Sequence, residues 1–272
     1  MIRLAAIGWK AHAALSRSGG TVRRFATLSD SAYVTAENEI LWLGPPDGAL
    51  HPRAMLAIRP FALDAGTVLV DVSGTIPWRA SRLRWCGPIE STLGVGCTTV
   101  RAAIHEIGPP RGLGALLVDD GRCDSFLARA SSPARELGHA CLSDDAAAAV
   151  GAATALLGLG PGLTPAGDDY VGGALFARRL VAEGDAASRA RWNEAGAEMT
   201  CRARQRTHPI SAALLADLIE GDGPAALHEL VSAIAGPAAP AETIQAARRL
   251  VASGHSSGWD LLAGFIAGAG GL

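Results

Sequence analysis

The chain has 272 residues, enough for one large domain or two modest ones, and is 49% hydrophobic but only 5% aromatic. Its core is therefore filled by many small aliphatic contacts, a composition that favours closely packed helices. With 24 basic against 26 acidic residues and no run of five like charges, it lacks the basic face that nucleic-acid binding requires, and no stretch of about 18 apolar residues marks a membrane span.

The N-terminal stretch Met1 to Leu15 is apolar in flavour but is broken by Lys10 and His12, so it does not read as a secretory leader. Cys86, Cys97, Cys123, Cys141 and Cys201 form no Cys-x-x-Cys pair and read as ordinary buried thiols in a reducing compartment. The cytoplasm is the expected location.

From Thr21 to about Ala130 the chain is strand-like and punctuated by Gly, Pro and Asp. Short runs at Ala32-Tyr-Val-Thr, Ile40-Leu-Trp-Leu, Thr67-Val-Leu-Val-Asp-Val and Ala115-Leu-Leu-Val-Asp read as strands. Asp120-Gly121, a favoured turn pair, predicts a hairpin between Leu116-Leu-Val-Asp and Cys123-Asp-Ser-Phe-Leu. A helix from Thr98 to Ile107 interrupts the strands.

From Ser143 onward every segment reads as helix. Ser143-Asp144-Asp145 is an N-cap with first-turn carboxylates for a helix running to Leu157. Further helices are expected at Asp185 to Arg204, Pro209 to Glu220, Pro224 to Ala235, Ala241 to Ser253 and Ser257 to Ala267. The fold class is α+β. A β-rich N-terminal domain over residues 1–135, a small barrel or sandwich, precedes an α-helical C-terminal domain over residues 136–272.

The richest local chemistry lies between two of these helices, at Gly158-Leu-Gly160-Pro-Gly162-Leu-Thr164-Pro165-Ala-Gly167-Asp168-Asp169. Closely spaced glycines permit positive φ and leave amides unobstructed. Thr164 as N-cap with Pro165 in the first turn would leave the remaining amides facing outward, the arrangement by which helix termini bind small anions. Asp168 and Asp169 would neutralise the dipole or recruit a cation such as Mg²⁺, a Lys or Arg partner, or an amide-bearing substrate. The plainer reading is a tight helix connection capped by aspartates.

A second copy weighs against the plainer reading. Gly254-His-Ser256-Ser257-Gly258-Trp-Asp260-Leu-Leu-Ala-Gly264 repeats the pattern 91 residues on, so that Gly167, Asp169 and Gly173 fall on Gly258, Asp260 and Gly264. Both are loop-to-helix starts, and they would converge on one pocket or serve only as small-residue packing motifs. A third polar cluster, Arg204-Gln-Arg206-Thr207-His208-Pro209-Ile-Ser211, offers Arg204, Arg206 and His208 as counter-ions for an oxyanion, or is simply a solvated cationic helix end.

Other motifs fail on context. Gly254-His-Ser-Ser-Gly258 matches the nucleophile-elbow pattern, but a helix precedes it and no histidine follows residue 255. Gly158-Leu-Gly160 lacks both the third glycine and the preceding strand of a dinucleotide fingerprint. The histidines lack metal-ligand spacing.

The 158–169 loop, Thr207 with Ser211 and the Leu214-Leu-Ala stretch, and the 254–264 segment together resemble the AllH family, which contains the third subunit of bacterial oxamate carbamoyltransferase. The resemblance covers the C-terminal half. It implies a transferase subunit converting oxalurate and phosphate to oxamate and carbamoyl phosphate in allantoin degradation, together with two larger partner subunits. Under it, Asp168, Asp169 and Asp260 are candidate catalytic residues, and Gly160, Gly162, Thr164, Gly167, Arg206, His208, Ser256 and Ser257 candidate substrate-binding residues. The alternative is an independent hydrolase or binding protein for a small carboxylate or ureido compound.

Overall fold

The computed structural model describes residues 1–61, 66–118 and 125–270. The chain divides into two compact units, Met1–Arg82 with Asp222–Ala225, and Leu83–Gly221 with Ala226–Leu272. Residues 83–135, read from sequence with the β-rich half, lie in the second unit. Each unit has its own hydrophobic cluster.

The first unit contains seven strands, β1 (Ile2–Gly8), β2 (Thr21–Thr27), β3 (Ala32–Ala36), β4 (Glu39–Gly44), β5 (Ala54–Ala57), β6 (Thr67–Asp71) and β7 (Pro77–Trp78), and one helix, α1 (Trp9–Arg17). The order β5-β4-β3-β2-β6-β1 is closed by an antiparallel β1–β5 pairing, Leu4 to Ala57 and Ile7 to Met55, so the first six strands form a barrel, with β7 added beside β1. Closure leaves those six without an open edge. Leu4, Ile7, Val22, Val34, Leu41, Leu43, Met55 and Val70 fill the interior, and α1 adds Ala11, Ala14 and Leu15 to it.

The second unit is helical: α2 (Ile89–Ala102), α3 (Ile104–Ile107), α4 (Ser125–Leu142), α5 (Ala146–Leu156), α6 (Ala166–Val181), α7 (Ala186–Arg206), α8 (Pro209–Ile219), α9 (Ala225–Ala235), α10 (Pro240–Val251) and α11 (Ser257–Gly268). Of the run Ala115-Leu-Leu-Val-Asp, expected as a strand, residues 115–117 belong instead to a 3-10 turn, Gly112–Leu117, and Ser125 onward is helix α4. The Asp120-Gly121 turn proposed between them lies outside the described residues. A short apolar run does not by itself separate strand from buried helical turn, and here Leu113 and Leu117 are buried within the helical core.

Capping also differs in detail from the sequence expectation. Asp145, not Ser143, caps α5 by accepting the Ala148 amide, while Asp144 takes a left-handed φ of 53°. Its carboxylate gathers Arg178, Ser188, Arg191 and Trp192, tying the α4–α5 turn to α6 and α7. Helix α6 begins after Pro165 rather than after a Thr164 cap. Cys97 and Cys141 are buried, but Cys86 and Cys201 are exposed, and Cys123 lies outside the described residues. Among the described residues no helix is long and apolar enough to cross a membrane.

Helices α6 and α11 are buried on nearly every face and form the centre of this unit. A Cβ on Gly264 would lie 1.9 Å from Tyr170 O, and one on Gly173 2.2 Å from Leu261 O. With the sequence offset of 91, these are one contact made in both directions. Gly268 meets Ala174 as Gly264 meets Tyr170, so the contacts advance together and the helices run the same way, with their N-termini at one end.

Gly264→Ala is expected to destabilise the protein by about 2 kcal/mol through overpacking, read from urea midpoints. Gly151→Ala, on the exposed side of α5 where an added Cβ meets nothing, should be neutral or gain up to about 1 kcal/mol from helix propensity. Equal midpoints for the two variants would contradict the close-contact account.

Candidate functional site

Because α6 and α11 are parallel, the loops that precede them arrive together. Thr164 Oγ1 and Ser257 Oγ are 3.5 Å apart, joining the two echoing segments. The resemblance extends to how each loop is held. A Cβ on Gly167 would lie 2.0 Å from Leu156 O at the end of α5, and one on Gly258 2.1 Å from Leu250 O at the end of α10. Each loop is therefore folded back on the helix it leaves.

Within the first loop, Gly158, Gly160 and Gly162 all have positive φ, as their spacing implied. The amides are used differently from expectation. Gly167 N donates to Leu159 O and Asp168 N to Pro165 O, so two first-turn amides of α6 are satisfied by backbone within the loop rather than directed outward.

Asp168 is 1% exposed and fully engaged. Its Oδ1 accepts the Gly158 amide at 2.8 Å, and its Oδ2 accepts the hydroxyls of Thr207 and of Ser211, the latter at 2.6 Å. This carboxylate fastens the loop to the α7–α8 junction and positions it. With both oxygens taken by protein donors, Asp168 and Asp169 do not present a shared cation site. Among the described residues no group of three or more His, Cys, Asp or Glu side chains is placed to hold a metal ion.

The α7–α8 junction thus joins the loop, as the third cluster implied, but through Thr207 and Ser211. The Arg206 carbonyl is the part placed against the loop, 2.6 Å from where a Gly158 Cβ would be, and the residue is exposed. His208 caps α8, its Nδ1 accepting the Ile210 amide at 3.2 Å.

Asp169 and Asp260 have a different character from Asp168. Each occupies the fourth position of its helix, and in each the Oδ2 atom is sealed from solvent with no hydrogen-bond partner among the described residues. Burial raises the Asp169 carboxyl well above the ordinary carboxylate range; the Ser257 hydroxyl opposes this, and the charges of Asp260 and Asp168 reinforce it. Burial likewise pushes Asp260 up to about 7, against the Leu113 amide and the Ser256 hydroxyl. Both carboxyls thus have raised proton affinity, and the charge of one disfavours ionisation of the other.

The wall over Asp260 was missed from sequence. Its Oδ1 accepts the Leu113 amide at 2.6 Å, so the 3-10 turn Gly112–Leu117 sits on the start of α11. The stretch Gly108-Pro-Pro-Arg-Gly-Leu-Gly114 has the same glycine and proline character as the 158–162 loop, and that was the signal available.

Residues 156–269 match the family model described as oxamate carbamoyltransferase subunit AllH. The AllH match spans less than half of the chain but takes in both loops, Asp168, Asp169, Asp260 and the α7–α8 junction. It starts at the last residue of α5 and ends just beyond α11, so the parallel helix pair lies wholly inside it. No curated protein and no solved structure matches the chain.

The raised carboxyls link the site to stability. An unfolded Asp ionises near 3.8, whereas folded Asp260 holds its proton to about 7, so stability is full below pH 4 and falls as pH rises from about 4 to about 7, by at most about 1.4 kcal/mol per pH unit for one proton. Asp260→Asn removes a charge that the fold disfavours. Thermal melts at pH 5 and pH 7.5 should show a smaller loss of Tm on raising the pH in the variant than in the parent chain. An unchanged loss would mean that Asp260 is ionised throughout.

Proposed function

We propose that the chain is a subunit of a carbamoyltransferase that converts oxalurate and phosphate to oxamate and carbamoyl phosphate, working with two larger partner subunits. The reading is supported by the AllH match over 156–269. The observation that carries it at the level of chemistry is the Asp169–Asp260 pair, the first residue half-buried and the second buried, both with raised proton affinity and a sealed, unpartnered Oδ2.

In the proposed reaction a phosphate oxygen attacks the ureido carbonyl carbon, a new C–O bond forms, and the C–N bond to the departing oxamate nitrogen breaks. The proton carried by hydrogen phosphate ends on that nitrogen. A carboxyl poised near neutral pH is suited to both halves of this transfer, because it accepts and releases a proton at little cost. The terminal carbamoyl NH₂ offers two N–H donors, and the Oδ2 atoms of Asp169 and Asp260 are acceptors that need them.

The hydroxyls of Thr164, Ser256 and Ser257 and the amides of Gly160 and Gly162 are assigned to substrate binding around the pair, where oriented donors stabilise the developing oxyanion. Asp168, Gly167, Thr207 and Ser211 hold the loop in place. They are positioning residues in this reading, which moves Asp168 out of the catalytic set inferred from sequence.

The test uses the chain purified together with its partner subunits. Phosphate-dependent oxalurate cleavage is expected, with Asp169→Asn lowering kcat by roughly a hundredfold while Tm stays within about 2 °C of the parent. Asp168→Ala should instead lower Tm, since three donors lose their acceptor. Full activity in Asp169→Asn and in Asp260→Asn would refute the active-site assignment. Oxalurate cleavage by the chain alone, without phosphate, would replace the transferase reading with that of an independent hydrolase.

A further inference from the structure

The proposed substrates are all anions, yet the two loops present carboxyls to them. A cation is needed to bring an oxyanion to such a site. Arg206 meets the loop through its carbonyl, and the His208 ring is turned to the start of its own helix. A different arginine, from a segment outside both the sequence motifs and the family match, precedes the turn that bonds Asp260 and reaches the second loop.

Arg111 is the residue from which the 3-10 turn Gly112–Leu117 starts. That turn is fixed to the site at two successive residues. Gly112, at φ 53°, lies so close that a Cβ on it would be 2.2 Å from Asp260 Oδ1, and the Leu113 amide donates to the same oxygen at 2.6 Å. The Arg111 backbone is thus one residue, about 3.8 Å in Cα spacing, from direct contact with Asp260. The guanidinium crosses to the second loop, where Nη1 donates to His255 O at 3.2 Å, immediately before Ser256 and Ser257. The residue is exposed, and this is the one hydrogen bond that the described residues give its five-donor fork.

We propose that Arg111 is the substrate-binding cation of this site, holding an oxyanion of the substrate beside the Asp169–Asp260 pair. One edge of the guanidinium is fixed by His255 O, and the remaining donors form a planar fork suited to a carboxylate or a phosphate. The turn serves two ends at once, since the same three residues supply the amide that binds Asp260 and the charge that receives the anion. This explains glycine at 112, for a side chain there would separate the turn from Asp260.

The inference rests on the carbamoyl-transfer reading of the same site, and the test separates the two. The purified chain is titrated with oxamate and, in a second arm, with inorganic phosphate, following heat of binding and Tm, and the complex with its partners is assayed for oxalurate cleavage. Arg111→Ala is expected to weaken binding of one of these anions at least tenfold, and to raise the corresponding KM by a similar factor, with Tm unchanged. Added guanidinium should restore part of the loss, which a merely structural role would not allow. Arg249→Ala, an exposed arginine paired with Glu229, should bind as the parent does.

The arm that loses affinity tells whether Arg111 holds the carboxylate or the phosphate. Unaltered binding of both anions by Arg111→Ala overturns the inference and leaves the transferase reading standing. Arg111-dependent binding in a complex that does not cleave oxalurate overturns the transferase reading and leaves the inference. Failure of the parent chain to bind either anion overturns the inference.

Discussion

The close approach of the α6 and α11 backbones sets the arrangement of the helical unit. Helix axes normally stay 8–10 Å apart because side chains separate them. At Gly173, Gly264 and Gly268 no side chain intervenes, and backbone meets backbone. The two helices run in the same direction, so their dipoles repel weakly along their length. The dispersion contacts of a closely packed helix pair offset that repulsion. Parallel alignment is also what places two remote stretches of sequence at one end, and with them Asp169 and Asp260.

Adjacent aspartates in α6 acquire opposite roles from this geometry. Successive helical residues point about 100° apart, so Asp168 faces the α7–α8 junction and Asp169 faces α11. Asp168 finds three donors for its two oxygens. Asp169 finds another carboxyl and a sealed oxygen. The helix N-terminus would ordinarily favour ionisation of both, but first-turn amides of α6 are already bonded to Leu159 O and Pro165 O, which leaves burial as the larger influence on Asp169. A structural anchor and a carboxyl of raised proton affinity thus sit on neighbouring residues, and stability lost at Asp169 and Asp260 is offset by the hydrogen bonds of Asp168.

The features legible in the sequence were those carried by local pattern. The strands around Ala32, Ile40 and Thr67 show themselves by composition, most helices by period and punctuation, and the paired loops by the spacing of Gly167, Asp169 and Gly173 against Gly258, Asp260 and Gly264. Barrel closure was not legible, because it depends on β1 pairing with β5, a four-residue strand buried on both faces that has no alternation to reveal it. The 3-10 turn at Gly112–Leu117 was misread because a short apolar run fits a strand equally well. The duties of Asp168 and Asp169 depend on which donors the fold brings to each, and local sequence does not encode that.

The AllH match and the geometry divide the site in an informative way. The matched span, 156–269, contains both loops and both raised carboxyls, and the turn carrying Arg111 and Leu113 lies upstream of it. The proton-holding pair therefore belongs to the stretch that resembles the family, while the wall that would select an anion belongs to a segment recognised only in three dimensions. Two hydrogen bonds join them, from Arg111 Nη1 to His255 O and from the Leu113 amide to Asp260 Oδ1, and the second reaches the carboxyl itself. That bond lowers the proton affinity of Asp260 against the effect of burial, so a shift of the turn changes the carboxyl as well as the position of the cation. If the turn receives an anion as proposed, the Leu113 amide is the link by which binding there would alter the proton affinity of Asp260.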